Sequence, residues 1–394
     1  MMKTGSLRVL LWTDSDRFAG TERHCLDLAG GLQRSGVEVS LGCRPQTPLA
    51  FRAFAEGLRV VELDTRWGGI RAVSRLRGLL RNGSTDLVHV HNGKCALLAR
   101  IALARAGRGT LVATQHFITP ARTSRRGVSA RVAARAHEWV DRGISRWVAI
   151  SAAVGDAMVQ RRDTTQKKVR LVFNGVPGGA PGEMDRALAR SVLGLPPEVP
   201  ILLCVARLEP EKGHGLLLHA LKMLSRERVE FLTLCVGEGS LEGAIARRIG
   251  ELAISERVRM VGQQPDVSVW LRAADVLVLP SPAEPFGLVL LEAMCRGVPV
   301  VAAAAGGPLE ILRDGGGLLF TSGDPRDLGE KLLRLLSQTG LRRDLADAAR
   351  LRWATHFSVE RMAQQMCEVY QEATGVGRDG EGDLFCSGHG VEGL

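Results

Sequence analysis

Two carboxylates, Glu284 and Glu292, stand eight positions apart in the stretch ADVLVLPSPAEPFGLVLLEAMCRGVPVVAAAAGGP, residues 274–308. The apolar run Val276 to Leu279 ends at Pro280, Pro282 and Pro285, and a helical stretch is expected from Phe286 to Arg296. Gly297 and Pro299 stop that helix, and a second apolar run, Val298 to Ala305, follows. The pattern is strand, loop, helix, strand, the βαβ unit of a parallel sheet. Glu284 then lies in the loop before the helix and Glu292 two turns inside it. The first helical N–H groups, near Phe286, Gly287 and Leu288, open towards the same place and favour an anion. Two acids around an anion-binding helix end suit a ligand with hydroxyls at both ends and phosphates between them, as in a nucleotide sugar.

Other candidates fall at strand ends. Arg207 and Lys212 flank the loop after the apolar run Pro200 to Ala206, where an Arg fork and a Lys point charge can hold a diphosphate. Gly237-Glu238-Gly239 ends the run Glu230 to Val236, and Gly262-Gln263-Gln264 ends Arg257 to Val261. The first is not a dinucleotide fingerprint, because the next glycine is misplaced and no acid occupies the ribose position. Both read as turns that let backbone approach a phosphate or base. Gly20 does the same before a helix expected from Glu22 to Arg34. His116 follows the strand Leu111 to Gln115, at the end of a parallel strand where such sheets place ligands. His89 and His91 alternate with valines and share one face of a strand; a metal needs a third ligand, and the segment offers none, so packed histidines are expected. Asp14-Ser15-Asp16 is a lone acidic pair and a weak metal signal.

The elements that must hold these residues alternate as strand and helix in both halves. The Gly- and Pro-rich segment Asn174 to Pro200 is the natural boundary. Doubly wound α/β architecture follows, two Rossmann-like domains facing each other across a cleft. The expected domains are 1–175 and 176–357, followed by an amphipathic helix over 358–373 and a Gly-rich tail over 374–394 without regular structure.

The chain has 394 residues, 45% of them hydrophobic and 24% charged, the balance of a globular protein. The apolar run Leu7 to Trp12 is too short for a signal peptide and is interrupted by Arg8. Eight cysteines without CxxC pairs or Cys/His clusters indicate neither disulfide framework nor zinc site. A cytoplasmic protein is expected. Residues 1–175 hold 29 basic against 13 acidic side chains, and the remainder 23 against 29. The basic half attracts polyanions. Its densest part is an amphipathic stretch over 121–146. Val128, Val132, Ala136, Trp139 and Val140 form one stripe there, and Arg131, Arg135 and Arg142 another, preceded by Arg122, Arg125 and Arg126. That face is read either as solvated arginine beside a packed stripe or as a surface for an anionic membrane or charged acceptor. Aromatic residues at 4% and the lack of a recognition motif argue against nucleic acid as a partner.

The sequence resembles the retaining glycosyltransferases of family 4, the group 1 glycosyltransferases with the GT-B fold. The most specific match is the E-x7-E motif, Glu284-Pro-Phe-Gly-Leu-Val-Leu-Leu-Glu292, supported in order by Gly20-Thr21-Glu22, Val-His-Val-His91, His116, Phe173-Asn174-Gly175-Val176, Arg207 with Lys212, Gly237-Glu238-Gly239 and Gly306-Gly307 with Glu310. Pro285 stands where the family usually has Gly or a similar residue, and Ala19-Gly20 where it often has a double glycine. The resemblance implies that Glu284 contacts the donor sugar's hydroxyls and Glu292 the ribose, that Arg207 and Lys212 neutralise the diphosphate, and that Phe286 and Gly287 approach it through their backbone. It places Gly20 near the diphosphate and His116 beside the reacting sugar, and it returns the helix over 358–373 to the first domain. It implies no metal or other cofactor, a nucleoside diphosphate sugar as co-substrate, and a glycan or lipid-linked acceptor of a cell-surface polymer such as lipopolysaccharide. Rival readings are a GT-B-like epimerase or phosphorylase, and a basic nucleic-acid-binding protein.

Overall fold

The computed structural model describes residues 7–118, 128–179 and 184–375. The chain divides into two compact units, one of Met1–Gly175 with Val359–Leu394 and one of Val176–Ser358.

The first unit is a parallel sheet of seven strands. In chain order these are β1 (Arg8–Trp12), β2 (Glu38–Cys43), β3 (Arg59–Glu62), β4 (Leu87–Val90), β5 (Thr110–Gln115), β6 (Arg146–Ala149) and β7 (Val169–Leu171). Across the sheet they run β3-β2-β1-β4-β5-β6-β7. Leu10 and Leu11, Val88 and Val112 are 0% exposed, as expected for a sheet covered on both faces. The helix Gly20–Arg34 packs on this sheet, and the last helix, Val359–Thr374, packs on that helix. Gly31 permits their approach, since a Cβ there would lie 3.1 Å from Ala363 Cβ and Val359 Cγ2. Val359, Met362, Ala363 and Met366 thereby join the core of the first unit.

The second unit is a parallel sheet of six strands, β8 (Ile201–Val205), β9 (Leu232–Val236), β10 (Val258–Gly262), β11 (Val276–Leu279), β12 (Val300–Ala303) and β13 (Gly317–Phe320). Their order is β10-β9-β8-β11-β12-β13. In both sheets the order reverses beside the first strand, between β1 and β4 and between β8 and β11. Ligands of doubly wound sheets bind outside the carboxyl ends of the strands at such a reversal.

Three expectations change. The helix that carries Glu292 spans Leu288–Met294 rather than 286–296, because Gly287, with φ of 103°, is in the left-handed region and cannot continue a helix. Phe286 therefore precedes the helix, and its ring is buried against Phe357, centroids 6.3 Å apart. The basic stretch forms the helix Val128–Gly143, but its apolar stripe is not packed as a whole. Val140 is buried, Val132 is 62% exposed, and Trp139, 38% exposed, meets the Arg100 guanidinium 4.9 Å from its ring centroid. The helix docks by its end: Gly143 leaves room for the Arg100 side chain, which a Cβ would overlap. Arg135 is exposed, whereas Arg122, Arg125, Arg126 and the 376–394 tail lie outside the described residues, as does the Arg131 side chain. Lastly, a long helix at Thr339–His356 and the helix Gly93–Ala106 were not anticipated from the pattern.

Candidate functional site

The second unit gathers its candidates around the β8/β11 reversal. β8 runs out into Arg207 and a short 3-10 turn, Pro210–Lys212, before the helix His214–Leu224. β11 runs out through Pro280 and Ser281 to Glu284. Because β8 and β11 are paired neighbours, their loops meet, and Lys212 Nζ donates to Glu284 Oε2 at 2.8 Å. Both side chains are largely buried, 19% and 11% exposed. Gly213 makes the meeting possible. Its φ is 73°, and a Cβ there would come within 2.3 Å of the Pro280 carbonyl oxygen.

Arg207 behaves differently. It reaches Glu211 at 2.6 Å, and both side chains are more than half exposed. The two cations therefore share a loop but not a partner. Gly237, with φ of 144°, lies against the backbone of that loop; a Cβ on it would fall 2.0 Å from the Ala206 carbonyl oxygen. The Glu238 carbonyl accepts from Leu208 N at 2.9 Å, and Gly262 O accepts from Gly237 N at 2.9 Å. Glu238 also ties the β9 and β10 loops together, since the Gln263 amide nitrogen, turned towards it, donates to Oε1 at 2.7 Å. Ala206, Gly237 and Gly262 thus form one continuous backbone floor at the strand ends.

On the other side, Gly307 N donates to Glu284 O at 3.0 Å, and a Cβ on Gly307 would lie 2.3 Å from Phe286 Cα. The glycine pair is the surface against which the Glu284 loop is folded. Leu288 opens the helix, and Glu292, half-buried, lies within it. Glu310 is mostly buried in the short helix after the glycines.

In the first unit the candidates surround a histidine cluster. His91 follows β4 and His116 follows β5, so strand pairing sets them side by side, with His91 Nδ1 3.2 Å from His116 Nε2. His24, one turn into the helix that starts at Gly20, closes the group, its ring centroid 5.0 Å from that of His116. The expectation that His91 has no third metal-ligand type nearby is therefore corrected: ring nitrogens of His24, His91 and His116 all lie within 4.8 Å of one another. Residues remote in sequence were brought together by sheet order and by the first helix. His89 stands apart in its bonding. Its Nδ1 meets Tyr370 Oη and its Nε2 meets Thr114 Oγ1, both at 2.7 Å. Burial lowers all four histidines, His24 to about 4 and His89 to about 3, so the cluster is neutral near pH 7.

The acidic pair near β1 is occupied by cations. Asp14 Oδ1 pairs with Arg44 at 2.7 Å and Oδ2 with Lys94 at 2.9 Å, and Asp16 pairs with Arg44 at 2.6 Å. His24, Asn174 and Tyr370, all buried, were not singled out as site residues from sequence. The position of His24 one turn after Gly20 was the available signal.

Comparison with known proteins matches each half separately. Residues 18–177 fit the model described as Glycosyltransferase Family 4, and residues 185–352 fit Glycosyl transferases group 1. The chain is 33% identical over 314 residues to the D-inositol 3-phosphate glycosyltransferase of Salinispora arenicola, covering 74% of this chain and 69% of that one. It is 33% identical over 394 residues to the enzyme of the same name from Thermomonospora curvata, covering 90% of each. Among solved structures, Anabaena HepE in complex with UDP and glucose aligns with a TM-score of 0.78 at 23% identity, over 93% of this chain and 99% of that one. The lipopolysaccharide outer core galactosyltransferase WaaB aligns at 0.67 and 19% identity, over 93% and 99%. Two parallel-sheet units of GT-B type and sequence matches over both halves lead to one conclusion: the chain belongs to the group 1 glycosyltransferases of family 4 and is an enzyme of that class.

Proposed function

We infer that this glycosyltransferase moves a hexose from a nucleoside diphosphate sugar to an acceptor hydroxyl, with retention at the anomeric carbon. The observation that carries the reading is the Lys212–Glu284 pair at the β8/β11 reversal. A cation and an acid share the place where such sheets bind ligands. In this reading Lys212 and Arg207 neutralise the departing diphosphate, where charge grows during reaction and preorganised cations contribute most. Glu284 accepts hydrogen bonds from the sugar and Glu292 from the ribose, while the Ala206–Gly237–Gly262 backbone approaches the rest of the nucleotide. Phe286, Gly287 and Leu288 bring their N–H groups to the diphosphate. Gly20 serves the diphosphate and His116 the transferred sugar. No metal or other cofactor is needed, because side-chain cations take the diphosphate charge.

HepE was solved with UDP and with UDP-glucose, which supports beginning a donor screen with uridine nucleotides. A panel of nucleotide sugars should contain one that raises the unfolding temperature, as ligand binding to the folded state requires. Stabilisation by none of them would sink the donor assignment. Proton NMR of the product should show an α linkage from an α donor; inversion would refute retention.

The acceptor is proposed to be anionic, a phosphorylated polyol or glycan destined for a cell-surface polymer. The excess of basic over acidic residues in 1–175 supports this, as do relatives named for an inositol phosphate acceptor. No helix among the described residues is long and apolar enough to cross a membrane. Contact with an anionic bilayer face through the helix Val128–Gly143 is proposed on the exposure of Val132, Arg135 and Trp139. Co-sedimentation with phosphatidylglycerol vesicles should fall with Arg135→Glu and with salt.

A further inference from the structure

The three clustered histidines contain a choice of proton position that the geometry resolves. His91 Nδ1 and His116 Nε2 are 3.2 Å apart, so one carries the hydrogen and the other accepts it. The remaining nitrogen of His91, Nε2, is buried and has no hydrogen-bond partner among the described residues. Were Nδ1 the acceptor, neutral His91 would carry its proton on Nε2, leaving a buried N–H unmade. Orphaned buried donors are rarer than under-satisfied acceptors, because a donor left without a partner forfeits its full hydration. His91 therefore donates from Nδ1 and His116 accepts on Nε2. A neutral imidazole has one proton, so that of His116 is on Nδ1.

The same three rings have the ligand types and proximity for a transition metal, and two observations weigh against one. No carboxylate belongs to the group, so the three rings themselves offer a doubly charged ion no counter-charge. The outer nitrogen of His91 also lacks the partner that orients a metal-bound histidine.

We propose that His91 is a positioning residue that fixes His116 as the tautomer protonated on Nδ1, so that His116 addresses the transferred sugar as a hydrogen-bond donor to a hydroxyl oxygen and not as a base. The donor role rests on the placement of His116 beside that sugar under the proposed function; the tautomer does not. His24 packs edge-on against His116 and limits its rotation.

Long-range nitrogen–proton NMR of the full chain with labelled histidine reads the tautomer directly, with His116→Gln to assign the signals. The expected wild-type spectrum has a protonated Nδ1 and a bare Nε2 on His116. Protonation on Nε2 would overturn the proposal whatever the kinetics. His91→Phe removes the donor and should cost roughly tenfold in kcat/KM, the worth of one hydrogen bond. His91→Asn keeps an N–H near Nδ1 and should restore most of it; equal loss in both would overturn the positioning role. Elemental analysis showing one zinc per chain, lost in His24→Phe, would also overturn it. Unchanged turnover in His116→Gln would overturn the placement of His116 at the sugar, and with it the donor role, while the wild-type spectrum still decided the tautomer.

Discussion

Lys212 and Glu284 each leave the other uncompensated if one is removed. Lys212→Ala strands a carboxylate that is 11% exposed, and is expected to cost about 1–3 kcal/mol in urea unfolding as well as most of the turnover. The double variant Lys212→Met with Glu284→Gln should recover stability without activity, which separates the fold's use of the pair from the chemistry's. Arg207 offers the opposite test. Its partner Glu211 is as exposed as it is, so Arg207→Ala should leave the unfolding temperature within a degree or two while turnover drops about a hundredfold. A folded Arg207→Ala enzyme with full activity would remove Arg207 from the diphosphate site. The buried histidines set a pH response. Folding lowers His24 from 6.5 to about 4, so below pH 6.5 the unfolded chain binds the proton more readily than the native one. Stability is then full above pH 6.5 and falls as the pH drops towards 4, by roughly 3 kcal/mol for this group alone. His89, at about 3, extends the loss further. His24→Phe should flatten the acid limb of a stability–pH curve; an unchanged slope would show that His24 is not the group involved.

The elements are where sequence reading succeeded most. β11 was legible to the residue because four apolar positions run straight into prolines. β1, β4 and β5 were legible as short runs rich in apolar residues that end at polar ones, with ends shifted by a residue. The helix Gly93–Ala106 escaped notice because it is apolar on several sides, its exposed face included at Leu97 and Ala104, so its sequence carries little period. The loops after β8, β9 and β10 were legible as turns after strands, but the partners of their glycines were not. That Gly237 faces the Ala206 carbonyl depends on β8 and β9 being paired neighbours, a fact of sheet order. Likewise the pairing of Lys212 with Glu284 across 72 residues follows from β8 lying beside β11. Gly237→Ala is expected to destabilise by more than the usual penalty for left-handed backbone, since its Cβ has nowhere to go. Loss of soluble protein, or a large drop in unfolding temperature, would be the result; a native-like enzyme would mean the β8 and β9 loops can separate.

For the molecule as a whole, the most consequential element is the last helix, Val359–Thr374. It belongs to the first unit though it is reached only after the second has been traversed. Tyr370 on this helix bonds His89 at 2.7 Å, beneath the histidine cluster. Tyr370→Phe should therefore cost about 1–3 kcal/mol by leaving a buried imidazole nitrogen unpartnered, and should perturb the NMR signals of His89. On the ribosome, the nascent amino-terminal sheet emerges first yet lacks part of its own core. The seat for Val359, Met362, Ala363 and Met366 on the helix Gly20–Arg34 stays open until the helix Val359–Thr374 has been synthesised. Domain-by-domain folding in order of synthesis is thus denied to the first unit. A chain stalled at Ser358 should hold an exposed greasy groove, a natural client surface for chaperones until Val359–Thr374 emerges.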